Sequence, residues 1–92
     1  MTFVLNKCYG GWSLSQFAME KLGLNTPYPF LTDDLVDNVI ALIKAYGSDL
    51  ISGTHARLKI VEIPDNCTDY EINEYDGIET ITYVVDGKIH HA

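Results

Sequence analysis

Leu35, Val36, Val39, Ile40, Leu42, Ile43 and Tyr46 recur at a 3.6-residue period. A helix with so wide an apolar face is stable only when another layer covers that face. Gly47 stops the pattern, and Thr32 stands where its N-cap belongs. Asp33, Asp34 and Asp37 fill the first turns, where the helix dipole favours negative charge. A second helix is expected to bury Leu14, Phe17, Ala18 and Leu22, starting at Ser13 as N-cap with Gln16 completing a capping box. Gly23 supplies its stop. Between the two helices, Asn25-Thr26-Pro27-Tyr28-Pro29-Phe30 cannot be helical.

The covering layer has to come from the β-forming segments. Thr2 to Cys8 reads as a strand buried on both faces, because Phe3, Val4 and Leu5 are apolar without alternation. Arg57 to Ile63 alternates and is stopped by Pro64 and Asp65. Tyr70 to Ile72 is a short third strand, and Asn73 to Gly77 a turn in which Asp76-Gly77 is a strong hairpin signal. Ile78 to Val85 is a fourth strand with Ile81, Tyr83 and Val85 on one face, and Asp86-Gly87 turns again. Lys88 to Ala92 adds a short last strand or frays, and Ser48 to Ala56 is a loop anchored by Leu50 and Ile51. The order β-α-α-β-β-β predicts an α+β fold: a small, mostly antiparallel sheet with the first strand inside it and two helices packed on one face. A chain of 92 residues suffices for one domain, residues 1–92, and one modest core. One helical layer leaves the other sheet face bare, so a homo-oligomer is expected.

Charge narrows the partners. Thirteen acids against six bases give a net charge of -7, which argues against binding duplex nucleic acid through a basic footprint. Residues 1–61 carry five acids and five bases, whereas residues 62–92 carry eight acids and only Lys88. An anionic ligand therefore belongs on the first two thirds. No apolar run is long enough to span a bilayer and no signal-peptide core follows Met1, so no membrane partner and a cytoplasmic location are expected. Cys8 and Cys67 lie 59 residues apart without a CxxC pair or histidine cluster, so neither a structural zinc site nor any other metal or cofactor is expected.

Three places have residues suited to chemistry. At Asn6 to Ser15, a strand, a glycine pair and an expected helix start bring together Lys7, Tyr9, Gly10, Gly11, Trp12 and Ser13. Free N–H groups at a helix start attract phosphate, glycines allow its approach, an aromatic ring stacks on a base, and serine bonds its oxygens. The sequence there is neither a Walker A loop nor GxGxxG, and a tight turn whose Trp12 packs on its own core explains the same residues. Thr54-His55-Ala56-Arg57 with Lys59 is the second place, where alternation puts Arg57 and Lys59 on one strand face as a possible anion clamp. The third is the acidic run Glu62, Asp65, Asp69, Glu71, Glu74, Asp76 and Glu79, a solvated face or an imitation of DNA phosphate for a host protein's basic groove. Catalysis has the weakest support: Cys8 beside the glycine turn has no histidine at a recognisable distance, and no catalytic residue is assigned.

Asn6-Lys7-Cys8-Tyr9-Gly10-Gly11-Trp12-Ser13-Leu14-Ser15, with Leu58-Lys59-Ile60-Val61-Glu62-Ile63-Pro64-Asp65 and Tyr75-Asp76-Gly77-Ile78-Glu79, resembles a family of small bacteriophage proteins of unassigned function. Its members read NKC[FY]GG[FW]xLS near the start and VEIPDD…YEIxEYDGxE near the end, and the likeness runs nearly the full length. Many of them end in a charged helical tail, whereas Thr80 to Ile89 here is β-rich. The resemblance implies a protein acting in the host cytoplasm by binding host factors. By analogy with other small phage proteins, it points to non-enzymatic sequestration of an anionic nucleotide second messenger of bacterial immunity, of the cyclic ADP-ribose or cyclic oligonucleotide type. Lys7, Tyr9, Gly10, Gly11, Trp12 and Ser13 are the expected contacts, with Arg57 and Lys59 as clamps. The alternative is an acidic module that inhibits a host protein by DNA mimicry.

Overall fold

The computed structural model describes residues Met1 to Ala92. Eight elements follow in order: β1 (Thr2–Asn6), α1 (Gln16–Leu22), α2 (Asp33–Tyr46), α3 (Ser48–Ile51), β2 (Leu58–Glu62), β3 (Asp69–Tyr75), β4 (Ile78–Val85) and β5 (Lys88–His91). The fold is α+β with antiparallel pairing throughout. No helix is long and apolar enough to cross a membrane.

The strands form two sheets rather than one. β1 and β2 make a two-stranded ribbon, and β3, β4 and β5 a separate three-stranded sheet in that order. The β1–β2 ladder closes at the Met1–Ile63 pair, and Pro64, without an N–H, ends the strand there. The chain turns there, with the Cys67 N–H donating to Pro64 O, and β3 starts outside the plane of the ribbon.

The ribbon is the middle layer. Val4 and Leu58 join Leu14, Ala18, Val39 and Ile51 in a core on the helical side. Leu5, Val61 and Ile63 join Ile81 of β4 in a second core on the other side, flanked by Phe3, Cys67 and Tyr83. Adjacent residues of a strand point to opposite faces, so the apolar run Val4-Leu5 belongs to a strand covered twice, as its composition predicts. The ribbon face expected to be bare is thus covered by the second sheet, and the most exposed apolar side chains are Phe30 and Tyr28 between the helices and Tyr75 and Ile89 on the three-stranded sheet.

Local structure follows local chemistry in most elements. Thr32 caps α2 by accepting from the Leu35 N–H, and Gly23 ends α1 in the left-handed region at φ 68°. The cap of α1 is Ser15, accepting from the Ala18 N–H, and not Ser13. Residues before it are held extended: the Leu14 N–H donates to Pro27 O, the Ser15 N–H to Ile51 O, and Leu14 forms an antiparallel bridge with Ser52. Part of the expected loop is the single-turn α3, closed by Ser52 N–H and Oγ on Ser48 O. It buries Ile51 but leaves Leu50 exposed. β3 runs on to Tyr75, so the turn is only Asp76-Gly77, both at positive φ as a two-residue hairpin requires.

Candidate functional site

The two sequence motifs meet in space, and Asn6 fastens them. Its side chain is fully buried: Nδ2 donates to Cys8 O at 2.7 Å and to Gly77 O at 2.6 Å, and Oδ1 accepts from the Arg57 N–H at 2.8 Å. Its own N–H, on the open edge of β1, donates to Glu79 Oε1 at 2.9 Å. The Lys7 ammonium donates to Glu79 O at 2.8 Å, and the Gly10 N–H to Asp76 O at 3.2 Å. Gly77, at φ 89°, lies so close beneath the glycine pair that a Cβ there would collide with Gly11 N. The glycine turn is therefore held by the β3–β4 hairpin. It is not the start of a helix, since four residues separate Gly11 from α1.

Next to this clasp lies a pocket of about 340 Å³. Gly10, Ser13 and Leu14 form one wall, Gly53, Thr54 and His55 a second, and Pro27 and Tyr28 a third. Gly10 is required here because a Cβ would come within 2.7 Å of His55 Cβ. At Gly53 a Cβ would displace the Ser13 hydroxyl. Ser13 is 8% exposed, and only its backbone oxygen is bonded within the chain, accepting from the Gly53 N–H at 3.0 Å. Its hydroxyl has no intramolecular partner, yet no fully enclosed side-chain polar atom in the protein lacks one, so that hydroxyl opens to the pocket. Tyr28, 70% exposed, forms an aromatic lip.

Of the eight expected ligand contacts, Gly10 and Ser13 line this pocket and the others do not. Trp12 serves the fold: its indole N–H donates to Val4 O at 3.0 Å and its ring packs on the helical-side core. Gly11 is consumed by the contact with Gly77, and Tyr9 points to solvent. Lys59 stands opposite Leu5, and the Lys7 N–H donates to Arg57 O one rung further along. The pleat thus puts Lys7, Arg57 and Lys59 together on the face of Leu5 and Val61, opposite the face of Leu58. They form no ion pair, the one ion pair in the structure joining the Met1 amino group to Asp65.

Pocket residues that the first candidate omitted come from elsewhere in the sequence. Thr54 and His55 belong to the second candidate, beside Arg57 and Lys59, whose alternation marks the strand. Pro27 and Tyr28 carried a signal only as a rigid aromatic connection.

The acidic run does not form one face. Glu79 and Glu74 accept from the Asn6 and Gly77 N–H groups respectively. Asp65 accepts from the Met1 amino group at 2.6 Å, and that hydrogen bond first, with the charge behind it second, holds the carboxyl below its ordinary range. Glu71 and Glu74 are an odd number of residues apart on β3 and so project from opposite faces. Cys8 is half-buried, unpaired and eight residues ahead of α1, away from any helix start. No protein-family model, no curated protein and no solved structure matches the chain.

Proposed function

We propose that the protein is a non-enzymatic binder that sequesters a small anionic molecule of the nucleotide class, seated between the glycine turn, the 53–55 turn and Tyr28. The family resemblance puts the nucleotide messengers of anti-phage immunity first among the ligands, and the host cytoplasm as the place of action. The observation that carries the reading is the Ser13 hydroxyl, which has no partner in the chain and opens to a concave site from a residue that is itself 8% exposed. A hydroxyl that opens to the pocket with no partner in the chain is free both to donate to and to accept from an occupant. Thr54 and His55 add further polar groups and Tyr28 a ring, the few convergent polar groups and aromatic wall usual in ligand sites. No thiol and no carboxylate lines the site, which favours binding over hydrolysis by Cys8 or by a carboxylate.

Native mass spectrometry of the protein with extracts of immune-activated bacterial cells, followed by heat release, tests this. A nucleotide recovered intact is the expected result, and a cleaved one would replace the binder with an enzyme. Ser13→Ala should keep the fold and weaken capture by about tenfold, the value of one hydrogen bond near 1.4 kcal/mol. Unchanged capture by Ser13→Ala would remove the pocket from the proposal.

A further inference from the structure

We infer that the pocket holds its ligand by an uncharged part, one nucleoside-sized ring-and-sugar unit, and leaves the phosphates in solvent. This rests on the reading above and narrows it. None of the eight lining residues is lysine, arginine, aspartate or glutamate. The lining residues supply two hydroxyls, an imidazole, a phenol ring and two apolar side chains, Leu14 and Pro27. Hydroxyls donate and accept, which suits sugar hydroxyls and base edges. The lip of Tyr28, next to Pro27, offers a flat apolar surface to a planar ring.

Phosphate finds no lysine or arginine in the same place. The three clustered cations, Lys7, Arg57 and Lys59, are absent from the lining and occupy the other face of the ribbon. One of them is already engaged, the Lys7 ammonium on Glu79 O. The Gly10 N–H, which a phosphate approaching the glycine turn would need, is spent on Asp76 O. The glycine turn is not a helix start, so no helix dipole adds positive charge there. Size points the same way. About 340 Å³ is at the low end of ligand sites, which run from about 300 to 1,000 Å³. A single nucleoside unit matches that scale better than a cyclic dinucleotide taken in whole, so a larger messenger would bind by one of its units.

The test is a calorimetric panel on the full chain: the four ribonucleosides, their 5′-monophosphates, and pyrophosphate. At least one nucleoside should bind within about threefold of its own monophosphate. That affinity should change by less than about twofold between about 50 and 500 mM salt, since no ion pair is made. Ser13→Ala should weaken both forms equally, and the double variant Arg57→Glu with Lys59→Glu should leave them unchanged. A monophosphate binding more than about tenfold tighter than its nucleoside, with displacement by pyrophosphate, overturns the inference while leaving the pocket as the binding site. If no compound of the panel binds, both the inference and the reading it rests on fall.

Discussion

Asn6→Ala removes the fastening of the whole clasp, and its cost can be worked from the bonds. The side chain has no exposure and makes three hydrogen bonds, at 2.6, 2.7 and 2.8 Å. Each is worth about 0.5–1.5 kcal/mol net, and more where the abandoned partner stays buried. Two carbonyls and one N–H are stranded, so the loss should be about 3–5 kcal/mol. Domains of this size are stable by about 5–14 kcal/mol, so at least about a fifth of the total is at stake. With a urea slope of about 1.5 kcal/mol/M, the unfolding midpoint should fall by about 2–3 M. Asn6→Asp separates packing from hydrogen bonding. It keeps the shape and the acceptor for Arg57 N–H, but turns a carboxylate oxygen towards Cys8 O and Gly77 O. That burial raises the carboxyl pKa in the folded state above its unfolded value of about 3.9, so this variant should lose stability as pH rises above about 4. A loss below about 1 kcal/mol in Asn6→Ala, with an unchanged slope, would refute the reasoning.

Gly77→Ala and Gly87→Ala share a positive φ but differ in surroundings. The second meets open space and should cost about 1 kcal/mol, whereas the first collides with Gly11 N and should cost at least about 2 kcal/mol more, read by urea titration. Trp12→Ala should destabilise by about 3 kcal/mol, because it empties part of the helical-side core and frees Val4 O; Trp12→Phe should restore most of that in thermal unfolding. Ser52→Ala removes the oxygen that accepts from the Leu58 N–H at 2.8 Å, so exchange of that amide should accelerate at least about fivefold by NMR.

The sequence declares features whose cause is local. The 3.6 period of α2 and its Thr32 cap need nothing beyond residues 32–47, and Asp76-Gly77 and Asp86-Gly87 demand the positive φ of a two-residue hairpin. Ser13 and Ser15 are chemically equal as caps, and distant bonds to Pro27 and Ile51 decide between them. Alternation identified Arg57 and Lys59 as neighbours on one face, but a pleat does not say which face meets the glycine turn. Trp12 looked like a ligand contact because the atom that takes its indole N–H, Val4 O, is a backbone oxygen that carries no sequence signal. Pro64 was legible as a stop, whereas the placement of β3 in another sheet depends on tertiary packing.

Asn6 and Gly77 are joined across 71 residues of chain, and Asn6 and Glu79 across 73. The hairpins of β3, β4 and β5 pair residues close in sequence, while the ribbon has to close over most of the helical segment before it gains a rung. Loop closure of that length is slow. The glycine turn acquires its anchor, Asp76 O, when the finished C-terminal sheet docks. The wall of the pocket is thus completed late in folding and is the first part lost when that sheet lifts away. Anything bound there stabilises the docked state by mass action. Amides of β3 and β4, which no ligand in the pocket touches, would then exchange more slowly whenever the pocket is full.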